Sequence, residues 1–205
     1  MEEQLRIFDK EKNPIGVASR ADVHKYGYWH EVFHCWMTTR INKEEYLYLQ
    51  LRSPNKKDYP GLFDITAAGH LLAEESVEDG IREVEEELGL RVAFEELISL
   101  GTLSYQVETQ QIINKEYANT FLYKGNHDFN DFDLQIEEVT GMMRVKLRDF
   151  EQLWFNQTDS IIGYGFKVDG HGGRELYENR LGRSDFVPHE DTFYEEVIRK
   201  IKANV

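Results

Sequence analysis

The chain has 205 residues, of which 40% are apolar and 13% aromatic, enough to bury one sizeable core and too apolar for a disordered segment. A formal net charge of −14 argues against a nucleic-acid backbone or an anionic membrane as the main partner, and a polyanionic substrate would need locally placed positive charge. The single cysteine, Cys35, excludes an internal disulfide, and the absence of a signal peptide, a lipidation motif or an apolar run near ~18 residues leads us to expect a cytoplasmic protein.

The first 20 residues predict a hairpin, with Leu5 to Asp9 and Ile15 to Ala18 flanking a turn at Asn13-Pro14. Arg20 to Gly27 predicts a short helix or turn, with Ser19 as its candidate cap. Trp29 to Thr39 reads as a strand, as does Glu45 to Arg52, where Leu47, Leu49 and Leu51 alternate with Tyr46, Tyr48 and Gln50. A basic loop, Ser53 to Gly61, leads to a buried-type strand over Phe63 to Ala68. Further strands are predicted over Leu97 to Val107, Tyr117 to Tyr123 and Thr140 to Val145, and a helix over Leu147 to Phe155. Gly163 to Gly173 carries five glycines and predicts a loop. Phe193 to Ile201 predicts an amphipathic C-terminal helix. Mixed strands with a few helices define an α+β fold in one domain over 1–205. A hairpin extension (about 1–27) would precede its core, and the glycine-rich loop and last helix (about 156–205) would follow it.

Residues 69–90 carry the chemistry. Ser76 is a good N-cap with Asp79 three residues on, and Gly89 suits the position just past a helix end. Val77, Ile81, Val84 and Leu88 form one apolar stripe. Glu83, Glu86 and Glu87 share an arc of about 100° on the side away from it. Acids at this spacing repel one another, and a hard divalent cation with oxygen ligands would relieve them. The competing reading is a solvated acidic face, which a chain this acidic would readily carry.

The order of residues decides between the two. Arg82-Glu83-Val84-Glu85-Glu86-Glu87-Leu88-Gly89-Leu90 matches the nine-residue core of the Nudix box, Arg-Glu-U-x-Glu-Glu-x-Gly-U with U apolar, at every position. The chain therefore resembles the Nudix hydrolases. Upstream the match needs either Ala68 in place of glycine, with Glu74 as the first box acid, or a one-residue deletion after Gly69, with Glu75 in that role. The deletion is preferred. The resemblance implies an α/β/α sandwich around a mixed sheet, Mg²⁺ (or Mn²⁺) as cofactor and Glu83, Glu86 and Glu87 as metal ligands. Glu83 could instead act as the base, and Arg82 would orient a box glutamate. The implied reaction is hydrolysis of a diphosphate linkage in a nucleoside diphosphate derivative. A homodimer is common among such proteins.

Outside the box, Arg6-Ile7-Phe8-Asp9, Val23-His24, Trp29-His30, Phe33-His34-Cys35-Trp36, Leu51-Arg52, Lys56-Lys57, Pro60-Gly61 and Gly69-His70 resemble the isopentenyl-diphosphate isomerase-like branch of the family. That raises two alternatives, a true isomerase and a nucleotide-binding module without catalysis. Three departures argue against the isomerase. Its cysteine before Gly-His is Ala68 here, the first acid of its Glu-x-Glu pair is Asn114, and isomerases lack the complete box that this chain has. Cys35 is read as a buried small residue. By resemblance Arg52 and Lys56 would bind diphosphate, Glu75, Glu116 and Glu138 could add metal-binding acids, and His24, His30 and His70 match three branch histidines. With Ala68 and Asn114 changed, the second metal site of the isomerases is expected to be dismantled, leaving His30 and His70 as structural groups or substrate contacts. Tyr105, Phe121 and Tyr123 are read mainly as core, and His171 is unassigned.

Overall fold

The computed structural model describes residues 2–108, 113–169 and 172–205. The alternation read from the sequence produces a strand with two apolar faces, and the molecule is built around it. Strand β3 (Trp29–Ile41) sends Val32 and Trp36 into one core and Phe33, Cys35 and Met37 into another. One rim of β3 is shared by three antiparallel partners: β1 (Gln4–Phe8), β6 (Ala67–His70) and β4 (Glu44–Arg52). The other rim takes β8 (Ile113–Lys124) in parallel, and β7 (Ile98–Glu108) pairs with β8. Beyond β4 follow β9 (Val139–Lys146), β10 (Ile161–Val168) and β11 (Arg174–Leu181), while β2 (Pro14–Ser19) edges β1. The sheet is mixed, as expected.

The predicted hairpin forms as β1 and β2, and Ser19 caps α1 (Arg20–Tyr26) by accepting from the Asp22 amide. Rather than standing apart, this hairpin continues the sheet. The predicted strand over Phe63 to Ala68 is two strands, β5 (Phe63–Asp64) on β4 and β6 on β3. The chain changes partner where β3 and β4 diverge. Thr66 fills that fork, taking the Met37 amide and donating to the Tyr48 carbonyl.

The box helix is shorter than predicted. A 3-10 turn over Glu78–Ile81 precedes α2 (Arg82–Leu88), and Ser76 and Asp79 cap the turn reciprocally. Gly89, in the left-handed region with φ 71°, ends the helix by donating to the Glu85 carbonyl. Val84 and Leu88 bury against the Phe33 face of the sheet. On the opposite face, α3 (Leu147–Trp154) and α4 (Asp191–Lys202) pack with Trp36, Leu47, Leu49 and Leu51, and Trp154 stacks on Tyr194 at 3.7 Å. The result is the α/β/α sandwich. Phe121 and Tyr123 belong to the core, as read from the sequence.

The glycine-rich stretch is a correction. Residues 163–168 lie in β10 and 174–181 in β11, which together form an antiparallel arm. Gly163 and Gly165 stand opposite Val145 and Met143. There a Cβ would run into the Met143 side chain at 163 and the Met142 carbonyl at 165. Their role is close strand approach, a use of glycine that mimics loop composition. Gly170 and His171 lie outside the described residues. Substituting Gly165→Val should destabilise the protein by about 1–3 kcal/mol. Urea denaturation would read this as a lowered midpoint, and an unchanged midpoint would mean that the strands are not held at this spacing.

Candidate active site

Arg82 opens α2 and holds four acceptors. Its Nε and Nη2 donate to Glu75 at 2.6 and 3.0 Å, its Nη1 to Glu83 at 2.6 Å and Glu86 at 3.0 Å, and its Nη2 to the His70 carbonyl at 3.1 Å. Glu75 also accepts the Leu72 amide, whereas Glu74 is exposed. Of the two alignments of the box, the geometry thus brings Glu75 to Arg82. The arginine's hydrogen bond, opposed by partial burial, keeps the Glu75 carboxyl below its ordinary range.

The three helix acids differ in environment. Glu87 is 6% exposed and takes hydrogen bonds from the Gln50 side chain at 3.2 Å and the Ala68 amide at 3.1 Å. Burial first, then the charge of Glu83, pushes its carboxyl well up. Glu83 is largely buried, and burial raises it to about 7 against the opposing pull of Arg82. Glu86 is half exposed. Glu83 lies directly over Gly69, where any Cβ would overlap its carboxylate. One arginine cannot neutralise so many acids. Oxygen donors crowded and dehydrated in this way suit a hard divalent cation, so the residues fit the metal that the family uses.

These groups line a pocket of about 570 Å³. Arg52, Lys56, Glu116 and Glu138 line the same pocket, as do His24 and His70, whereas His30 and Glu74 are not among its lining residues. Their partners are more specific than sequence could say. Lys56 pairs with Glu138. Glu116, buried in β8, accepts from Tyr105 and from Asn114. It stands 3.9 Å from both His30 and His34, among histidines rather than beside the helix acids.

The histidines correct an expectation. The changes at Ala68 and Asn114 do not scatter the trio, because ligand nitrogens of His24, His30 and His70 lie within 4.8 Å of one another. His24 and His30 use Nδ1 on the carbonyls of Arg20 and Tyr28 at 2.8 and 3.2 Å. Nε2 of His30 and of His70 is buried without a hydrogen bond among the described residues. Burial keeps the rings of His30 and His70 neutral, the form that ligates metal. Cys35 is buried and its thiol is pushed up to about 12, an inert group.

Sequence reasoning missed Gln50, Asp64, His34 and His189. Two of them left a trace. Asp64 interrupts the apolar run Phe63-Asp64-Ile65, and Gln50 stands in a strand where both faces are buried. His189 left none.

No family model matches the chain. An uncharacterised Nudix hydrolase from Clostridium acetobutylicum is 36% identical over 200 residues, covering 98% of this chain and 97% of that protein. An isopentenyl-diphosphate Delta-isomerase from Photorhabdus laumondii is 28% identical over 160 residues, 78% of this chain and 86% of the isomerase. Among solved structures, a protein of Deinococcus radiodurans superposes with a TM-score of 0.56 at 16% identity, over 73% of this chain and 86% of its own. A MutT/nudix family protein from Enterococcus faecalis gives 0.51 at 11% identity, over 84% and 62%. A relative of this identity over nearly the whole length places the chain in the Nudix hydrolase family. It is a hydrolase whose isomerase-like relatives share much of its length.

The buried acids make stability depend on pH. Glu83 and Glu87 hold protons above the ordinary carboxyl value of 4.5, while His30, His34 and His70 lose theirs below the ordinary 6.5, and the two sets oppose each other between those values. An unfolded histidine is half protonated at ~6.5 and close to neutral only by about pH 7.5, so the histidines oppose the glutamates over part of this range. The contribution of Glu83 itself is stability that is lost as pH rises through about 7. Calorimetry of metal-free protein should therefore show the Tm of wild type falling relative to that of Glu83→Gln between about pH 6 and pH 8. A wild-type Tm that rises relative to the variant over this interval would refute the assignment.

Proposed function

We propose that this hydrolase cleaves the diphosphate linkage of a small nucleoside diphosphate derivative in a reaction dependent on Mg²⁺, with Mn²⁺ able to substitute. The observation that carries this reading is the convergence of Glu83, Glu86, Glu87 and Arg82 on one pocket that also contains Arg52 and Lys56. Glu83, Glu86 and Glu87 would hold the cation, which supplies polarisation of the phosphoryl oxygens and of the attacking water.

The chain's own residues do the rest. The Gln50 side chain and the Ala68 amide fix the Glu87 carboxylate, so that ligand is oriented before any substrate arrives. Arg82 aligns Glu75, Glu83 and Glu86 and offsets part of their repulsion. Glu83, bonded to Arg82 and lying over Gly69 in the pocket, is placed either to ligate or to accept a proton from water. Arg52 and Lys56 supply the positive charge that a diphosphate needs in a chain of net charge −14. Glu75, Glu116 and Glu138 are further ligand candidates, paired with Arg82, with Tyr105 and Asn114, and with Lys56 respectively.

The histidine trio favours a second cation, and with it the isomerase as the second reading. Ala68 opposes that reading, because a methyl group cannot exchange a proton with carbon. The deciding assay is product release from a panel of nucleoside diphosphate derivatives with Mg²⁺ or Mn²⁺, with isopentenyl diphosphate included. Wild type should release a nucleoside monophosphate or phosphate and form no isomer, and Glu86→Gln and Glu87→Gln should each lose about 10²-fold or more in kcat. Turnover indifferent to both substitutions would reduce the helix acids to a solvated face. Turnover of isopentenyl diphosphate would favour the isomerase, and no turnover at all a binding module.

The two metal positions should separate by composition. After Mn²⁺ loading and dialysis, Glu86→Gln and Glu87→Gln should retain metal at the histidines, and a His30→Ala/His70→Ala double variant should lose that fraction. Metal content unaffected by the histidine pair would leave the trio as a packing cluster.

A further inference from the structure

Arg52 is already held before any substrate is present, and one of its two partners is in turn bound by the C-terminal part of the chain. Its Nε and Nη2 donate to the Asp58 carbonyl at 3.1 and 2.8 Å, and its Nη1 donates to Asp64 Oδ2 at 2.8 Å. A guanidinium has five N–H donors, so two remain, one on each terminal nitrogen. Arg52 lines the pocket, and a pair of donors on adjacent terminal nitrogens is the kind of fork that can grip a phosphate bidentately. Asp64 is buried, and its other oxygen takes the Ile65 amide at 2.8 Å and His189 Nε2 at 3.3 Å. Burial alone would raise the Asp64 carboxyl, but the bonds from His189 and Arg52 outweigh it and keep the group ionised.

His189 is placed by the fold around it. The segment before it adds to the edge of β5, with Phe186 bridged in parallel to Phe63 and the Val187 amide donating to the Phe63 carbonyl at 2.9 Å. Tyr194 of α4 donates to the Val187 carbonyl at 2.7 Å. The imidazole packs edge-on against Tyr105 at 5.0 Å and beside Phe193, with its side chain 8% exposed. Its Nδ1 is buried with no hydrogen bond among the described residues, so its hydrogen bond there is the one to Asp64. A buried imidazole with one polar bond is fixed by that bond.

We propose that Asp64 and His189 are positioning residues for the substrate's diphosphate: Asp64 bridges His189 and Arg52, and through it the C-terminal segment holds the Arg52 fork ready for the phosphate. This deepens the hydrolase reading and rests on it, since it takes Arg52 as the anion anchor. The segment before the C-terminal helix is thereby part of the substrate site, although it contributes no group to the metal-binding acids.

The test uses the whole chain and inorganic pyrophosphate with Mg²⁺, followed by calorimetry, alongside KM and kcat on the best nucleotide of the panel. Arg52→Ala should weaken pyrophosphate binding about tenfold or more, and His189→Ala about three- to tenfold, with KM raised and kcat within about twofold. His189→Gln, whose amide nitrogen stands where Nε2 stands, should keep most of the affinity. In an Arg52→Ala background His189→Ala should add nothing, because a residue acting through Arg52 has nothing left to position. Should His189→Ala fold poorly, the comparison of His189→Gln with Asp64→Asn carries the same test, with Asp64→Asn the weaker binder. The proposal is overturned if His189→Ala binds as wild type does, if His189→Gln is as weak as His189→Ala, if the two effects multiply, or if Arg52→Ala leaves binding intact. A wild type that binds pyrophosphate through Arg52 yet hydrolyses no nucleotide would instead sink the hydrolase reading alone.

Discussion

A single guanidinium among carboxylates sets the geometry of the box. Arg82 reaches back to Glu75 in the loop, across to Glu83 and Glu86 on its own helix, and to the His70 carbonyl at the end of β6. The four acceptors come from three different segments, and without the cation their charges would drive those segments apart. With it they converge, but the neutralisation is incomplete, because burial still raises Glu83 and Glu87. The site is therefore folded but electrostatically unfinished. That is the condition in which a divalent ion adds most, since it binds the folded arrangement and not the unfolded chain.

Two kinds of candidate ligand set stand side by side. The helix acids offer hard oxygen donors with one face toward solvent at Glu86, suited to an ion that keeps water and shares phosphate oxygens. The trio of His24, His30 and His70 offers imidazole nitrogens, those at Nε2 of His30 and His70 buried, with Nδ1 of two rings already anchored, a donor set of softer character. Glu116, read from the sequence as the remaining acid of the isomerase-type Glu-x-Glu pair, stands with the second group. The resemblance to the isomerase branch is thus more than a trace in the sequence. It is retained as a cluster, while the residue at position 68 that the isomerase reaction needs is not.

How much was legible in the sequence depended on how local the cause was. Strands with two-residue alternation, the Ser19 cap and the Gly89 stop are local, and each element formed within a few residues of its expected limits. The box acids were legible because helix periodicity alone puts them on one side. Gly163 and Gly165 misled for the opposite reason: their need is imposed by Met142 and Met143 on a neighbouring strand, and composition cannot tell such a glycine from one in a turn. The histidine trio was misjudged by the same logic. Substitutions at 68 and 114 were weighed as if they built the cluster, whereas α1, β3 and β6 place the three rings independently of them. His189 was invisible because only the docking of the last segment on β5 brings it to Asp64.

The doubly occupied strand β3 has a kinetic consequence. Its rims are filled by β1, β4 and β6 on one side and by β8 on the other, and the β8 register pairs Trp29 with Lys115 and Thr38 with Lys124. Pairs so distant along the chain must close a large loop before they return any energy, which slows folding. The pocket draws on β4, β5, β6, α2, β8 and the segment after β11, so its full lining needs segments far apart in the chain. The first hairpin, the β10–β11 arm and the Arg82 cluster with Glu75, Glu83 and Glu86 join neighbouring residues, but Arg52, Glu116 and His189 reach that cluster only across the long-range seam. In this molecule the reactive centre is complete only when distant stretches of the chain have met.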